Sequence, residues 1–102
     1  METKYLYIGC NGNIAAIDAV SGEIVWQKSL KAGFFGDKVR ENVTVLVDNE
    51  IVIAGCHGHV FGFDSMTGEQ LWSNNLEGYG HNDVSLAMSE KSIQVVKKVK
   101  HQ

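Results

Sequence analysis

Residues 18–30, DAVSGEIVWQKSL, return as DSMTGEQLWSNNL at 64–76. A single shift of 46 residues pairs Gly9 with Gly55, Cys10 with Cys56, Gly12 with Gly58 and Asp18 with Asp64. The same shift pairs Gly22 with Gly68, Glu23 with Glu69, Trp26 with Trp72 and Leu30 with Leu76. Identities at one fixed offset that include both tryptophans of the chain describe an internal duplication. A duplicated unit of this size stacks on its own copy, because one such unit cannot bury its apolar face alone. A period of about 40–50 residues is that of a β-propeller, with one four-stranded blade per repeat.

The local pattern agrees with that period. KYLYIG and EIVIAG are short β-rich runs ending in glycine, NIAAID and HVFGFD follow after a turn, and EIVWQKSL and EQLWSNNL follow a second turn. NVTVLVDNEIVIAG reads as a hairpin turning at Asp48-Asn49. Alternation and β-branched residues dominate, and no window holds the 3.6-residue period of a helix for long. Gly22 and Gly68 suit a tight turn with positive φ. Asp18 and Asp64 precede that turn, where a short carboxylate accepts backbone N–H bonds. The same loops are only distantly like calcium loops, since they lack alternating Asp and Asn ligands.

The string Gly-Cys-x-Gly, an apolar strand ending in Asp, then x-x-x-Gly-Glu-x-x-Trp occurs twice and resembles the repeat of the quinoprotein, or PQQ-like, β-propeller family. The matching strands and connections cover most of the chain. The resemblance implies that Trp26 and Trp72 dock between neighbouring blades. The expected fold is therefore all-β: two four-stranded antiparallel blades of the PQQ-like type, completed into a ring by homo-oligomerisation. Residues 1–102 form a single domain, with repeats at about 4–30 and 43–76 and a C-terminal strand pair at 84–98.

That strand pair follows from the strand order. With blade strands named A to D from the axis outward, the chain opens at a B strand, and VSLAM (84–88) matches VTVLV as the A strand of a following blade. Two blades cannot close a ring, and each leaves an apolar docking face that is rarely left in water. Head-to-tail association of three or four copies covers those faces. The strand at 92–98, SIQVVKK, would be a second B strand competing with YLYIG of the next copy, and has no settled role.

Composition narrows the function classes. A net charge of −3 argues against nucleic acid as the main partner, since phosphate binding needs a basic face. No apolar run reaches the roughly 18 residues of a membrane span. METKYLYIGCNG lacks the basic start and apolar core of a secretory signal, so a cytoplasmic location is expected. Equivalent positions of stacked sheets lie about 10 Å apart, too far for a disulfide, so Cys10 and Cys56 are expected as free thiols of a reducing compartment. Nothing in the sequence supplies either with a neighbour that activates it.

In an antiparallel meander the B–C turns and D–A connections share one face. That face gathers GCNGN, GCHGH, KAGFFGDKVREN and EGYGHND, and loops on a rigid scaffold are where binding resides. Its polar members, Asp37, Lys38, Arg40, Glu41, His57, His59, His81, Asn82 and Asp83, form the candidate face for a ligand or partner. His57 and His59 are spaced as zinc ligands but lack a third close donor, and Asn11 and Asn13 hold the same slots in the first repeat. Polar loop variation is the plainer reading, and no metal is expected. Phe34-Phe35 is either a ligand shelf or a small core under its loop, and VVKKVKH reads as a guarded strand edge.

Three functions compete. The quinone-dependent dehydrogenases of the family hold their cofactor beside a disulfide of adjacent cysteines, with calcium and an aspartate base. This chain has no adjacent cysteines and no carboxylate-amide cluster that maps onto that set, so no cofactor and no catalytic residues are expected. A multivalent lectin-like module would use Phe34, Phe35 and Tyr79 for sugar stacking. The reading adopted is a non-catalytic protein-interaction scaffold acting through the loop face. Its partners are further copies of itself and another protein, or a glycan in the lectin-like alternative.

Overall fold

A computed structural model describes residues 4–32, 37, 38 and 41–89 of the chain. In the first repeat β1 (Tyr5–Cys10), β2 (Asn13–Asp18) and β3 (Ile24–Ser29) form an antiparallel sheet in the order β1-β2-β3. A two-residue ladder, β4 (Lys31–Ala32) with β5 (Asp37–Lys38), then stands where the sequence suggests only a loop. The second repeat forms a four-stranded antiparallel sheet of β6 (Thr44–Asp48), β7 (Ile51–Cys56), β8 (His59–Asp64) and β9 (Gln70–Asn74), in that order.

The two sheets are built alike, down to their irregularities. Asn11 and Gly12 (φ 49° and 75°) and His57 and Gly58 (φ 51° and 77°) both place two positive-φ residues between paired strands. That is the turn whose twist matches a right-twisted hairpin. The register slips between Ala16 and Ile17 in one sheet and between Gly62 and Phe63 in the other, one repeat apart. In both, the Asp at the end of the middle strand closes the next turn. Asp18 Oδ1 accepts the N–H groups of Val20 and Ser21 at 2.8 and 3.1 Å, and Asp64 Oδ1 those of Met66 and Thr67 at 2.9 and 3.1 Å. Gly22 and Gly68 follow at φ 81° each. With the carboxylate oxygen spent on the backbone, this motif is a turn in both copies, as its residues suggest.

The core lies between the sheets. Ile14, Ala16, Trp26 and Leu30 of the first repeat meet Val52, Ala54, Cys56, Phe61 and Phe63 of the second, with Tyr5, Tyr7, Val43 and Val45 packed against them. Trp26 is the centre of this contact. Its ring is 6.1 Å from Tyr7 and 6.2 Å from Phe63, and it lies over Gly68, where an added Cβ would come within 2.5 Å of Trp26 Cδ2. Its Nε1–H donates to the Ser65 carbonyl at 3.0 Å, which also accepts the Tyr7 hydroxyl at 2.9 Å. A buried indole needs such an acceptor. Trp72, its counterpart, meets no following sheet among the described residues and is 42 % exposed against 8 % for Trp26. Its ring turns down onto Gly62 of its own sheet, where a Cβ would overlap it.

The expectation of two four-stranded blades is met by one sheet of four strands and one of three. The expected strand pair at 84–98 differs more. Residues 84–88 form no ladder among the described residues, and 92–98 lie outside them. A ladder needs a second strand, and none is paired to 84–88 here. The segment nevertheless keeps strand-like alternation, with Val84, Leu86 and Met88 half-buried and Ser85 and Ala87 exposed. It is also seated as an A strand is. Val84 lies over Gly55 just as Val43 lies over Gly9 one repeat earlier, and the Thr44 hydroxyl donates to the Val84 carbonyl at 2.6 Å.

Candidate functional site

The turns and connectors expected on one face are tied together there. In the first repeat the Gly12 N–H donates to the Glu41 carbonyl at 2.9 Å, and the Gly12 carbonyl accepts the Leu30 N–H at 2.8 Å. In the second, Gly58 fits against the Gly80 carbonyl so closely that a Cβ would overlap it. The connector after β9 thus folds back over the β7–β8 turn. It is itself shaped by positive-φ residues, with Leu76 at 46°, Gly78 at 90° and Gly80 at 87°, and the Asn74 side chain accepts the Leu76 N–H at 2.8 Å.

This fold-back brings His57, His59 and His81 together. The His57 and His81 rings stack at 5.0 Å and 25°, and those of His59 and His81 at 6.1 Å and 24°. His59 Nδ1 lies 3.0 Å from the His57 carbonyl, so that nitrogen carries the proton when it makes this bond. Imidazole lone pairs lie in the ring plane, so near-parallel stacked rings do not aim them at one point. Among the described residues no group of three or more His, Cys, Asp and Glu side chains is arranged for a metal ion. What the stack offers a ligand is flat ring surface and an N–H edge.

Beside the stack are two open hollows. One, of about 400 Å³, is lined by Gly58, Val60, Leu76, Tyr79, Asn82, Asp83 and residues 84–86. The other, of about 350 Å³, is lined by His59, Glu77, His81 and the glycines of the connector. Tyr79 is a largely exposed ring at the edge of the first. An apolar floor with a few polar groups at its rim is the usual composition of a recognition site.

Of the remaining face residues, Glu41 serves through its backbone carbonyl, which accepts from both Gly12 N–H and Cys56 Sγ. Asp37 and Lys38 are placed only by the backbone of β5. Arg40, Phe34 and Phe35 lie outside the described residues. Trp26 and Gly68 come together at the contact between the sheets, whereas Trp72 and Gly22 are exposed, and Asp18 and Asp64 are half-buried turn residues alike. Ser65 and Tyr7, which pin Trp26, escaped the sequence reading. The clue was the repeat itself, since a docking indole must find its acceptor near the repeated turn of the next blade.

Both cysteines are free, Cys10 exposed and Cys56 buried. Burial pushes the Cys56 thiol up, and the nearby carboxylates of Glu41 and Asp83 push the same way, against the bond to the Glu41 carbonyl. A thiol held protonated is a poor nucleophile. The cysteines, one on each repeat and one of them sealed in the core, do not fit the paired-sulfur seat of a quinone, nor do the described acidic residues supply a calcium set beside them.

The family model described as outer membrane protein assembly factor BamB, one of PQQ-like repeats, matches residues 2–100. None of the curated proteins compared with the chain matches it significantly.

Proposed function

The chain belongs to the PQQ-like β-propeller repeat family, and from that premise we propose that it is a non-catalytic propeller module that binds another protein through its connector face. One observation carries this reading. The connector after β9 is folded back to set three stacked histidine rings, the exposed Tyr79 and an open hollow side by side on a rigid two-sheet base. Aromatic rings on a rigid support contribute contact area at low entropic cost, which is how protein-recognition surfaces obtain affinity. The description of the matching family model, an assembly factor, is also one of association.

Site-specific photo-crosslinking tests the proposal. A benzophenone amino acid at Tyr79 is expected to give protein adducts of defined mass in cells, and the same group at Met66, an exposed residue of the turn after β8 at the opposite end of the sheets, is not. Adducts that are absent at Tyr79, or equal at both positions, would overturn it.

The ring of Tyr79 above a hollow edged by Asn82 and Asp83 also supports a lectin-like reading, in which sugars stack on the ring. Glycan-array hits abolished by Tyr79→Ala would favour that second reading. Saturable quenching of the tryptophans by added quinone would instead revive a dehydrogenase.

A further inference from the structure

The contact between the two repeats is a template for what each bare face accepts. In the second repeat Val52, Ala54 and Cys56 are all 0 % exposed, because the first repeat covers them. Their counterparts one repeat earlier are Leu6, 54 % exposed, Ile8, 40 % exposed, and Cys10, also exposed. At the other end Trp72, 42 % exposed and lying over Gly62 of its own sheet, lacks among the described residues the cap that Trp26 has. The turn that caps Trp26 has a twin as well. Gly68 is filled by the Trp26 ring, whereas Gly22, with the same φ of 81°, has no atom of the described residues near the place of a Cβ.

We propose that these two bare faces meet between copies of this chain, with Trp72 of one copy seated on Gly22 of the next. By the template of Trp26 and Ser65, the Trp72 Nε1–H then donates to the Ala19 carbonyl, which stands one repeat before that of Ser65. Residues 84–88, already seated over Gly55 like an A strand, pair with the free edge of β1 in the next copy and complete its three-stranded sheet. The register follows that of β6 on β7, placing Leu86 opposite Ile8 and Met88 opposite Leu6. The two faces differ, so the association is head-to-tail, and a ring of three or four copies is the form of it that leaves no face bare. A second copy is the occupant because each bare face is chemically the repeat of a face already satisfied inside the chain. This inference concerns the ends of the module and stands whether or not the connector face binds another protein.

The test is solution mass by light scattering for the chain, Leu6→Glu and Trp72→Ala, singly and mixed. Leu6 is exposed, so the glutamate leaves the isolated chain folded, which circular dichroism verifies. The wild-type chain is expected at three or four times its single-chain mass, and each variant alone as a monomer. The equimolar mixture is expected to form a two-chain species, because each variant keeps one intact face. A monomeric wild type, a variant that assembles as the wild type does, or a mixture that stays monomeric would each overturn the proposal. Titrating residues 92–98 as a peptide onto the Leu6→Glu variant, whose 84–88 strand is intact, distinguishes the other occupant: binding that displaces the second copy from the mixture would pair 84–88 with this segment instead of with β1 of the next copy.

Discussion

Trp26 and Trp72 hold the same position in the same motif, yet one is a core residue and the other a surface residue. The difference is the neighbour. Trp26 has Tyr7, Phe63, Gly68 and the Ser65 carbonyl around it, and Trp72 has Gly62 of its own sheet. In the Leu6→Glu background, where copies are kept apart, Trp26→Ala is expected to cost about 3–5 kcal/mol, the usual range for emptying a buried aromatic site. Trp72→Ala should cost about 1 kcal/mol or less, like most changes at half-exposed sites. Urea unfolding measures both, and equal losses would contradict the structure. Asp18 and Asp64 form the second residue-level pair. The Asp18 carboxyl is held below its ordinary pKa by N–H donation from Ser21 and Val20, and that of Asp64 by donation from Thr67 and Met66. A pKa lower in the folded state means fewer protons bound there than in the unfolded chain, so this stabilisation is present above the ordinary carboxylate range and lost as pH falls through the lowered values. Asp18→Asn with Asp64→Asn should therefore flatten the fall of the urea midpoint between neutral and acid pH. An unchanged slope would show that the turns do not hold these carboxylates.

Among elements, the glycine turns after β2 and β8 make a controlled comparison. In the same Leu6→Glu background, Gly22→Ala and Gly68→Ala impose the same backbone strain, but only at Gly68 must the new methyl also displace the Trp26 ring. Destabilisation of about 1 kcal/mol is expected for Gly22→Ala, from the left-handed backbone alone. Overpacking adds roughly 1–3 kcal/mol at Gly68. Thermal or urea unfolding resolves that difference, and equal effects would mean that Trp26 is not seated there. Gly55→Ala should act on a different element. Its methyl meets Val84, so amide exchange should accelerate across 84–88 while β7 and β8 keep their protection. Exchange unchanged at 84–88 would show that this segment is not docked on the blade. These elements were legible in the sequence to different degrees. The turns at Asn11-Gly12, Asp18 and their repeats stood out because each needs a particular residue: glycine for φ, a short carboxylate for the orphan N–H groups. The β4–β5 ladder did not, since two pairs of residues among Lys, Ala and Asp carry no alternation. Residues 84–88 show the converse. Their pattern is that of a strand, but a pattern fixes which side chains face inward and does not supply the neighbouring strand.

For the whole molecule, one buried cluster joins the two sheets among the described residues, and the faces beyond that contact repeat its chemistry without its partner. The candidate site was legible only in part. Placing His57, His59 and His81 on one face followed from the meander, but their stacking depends on the positive-φ backbone at Leu76, Gly78 and Gly80, which folds the connector back and is not a matter of local pattern. Tyr79 is carried outward by the same loop, so shortening that connector should abolish the crosslinks expected at the proposed partner surface while circular dichroism shows the sheets still folded. The most direct test of the account is hydrogen exchange at the two indole N–H groups, followed by nuclear magnetic resonance in dilute and in concentrated solution. The account predicts slow exchange for Trp26 at both concentrations, and exchange at Trp72 that is fast when dilute and slow when concentrated. Fast exchange at Trp72 under both conditions, or at Trp26 under either, would contradict it.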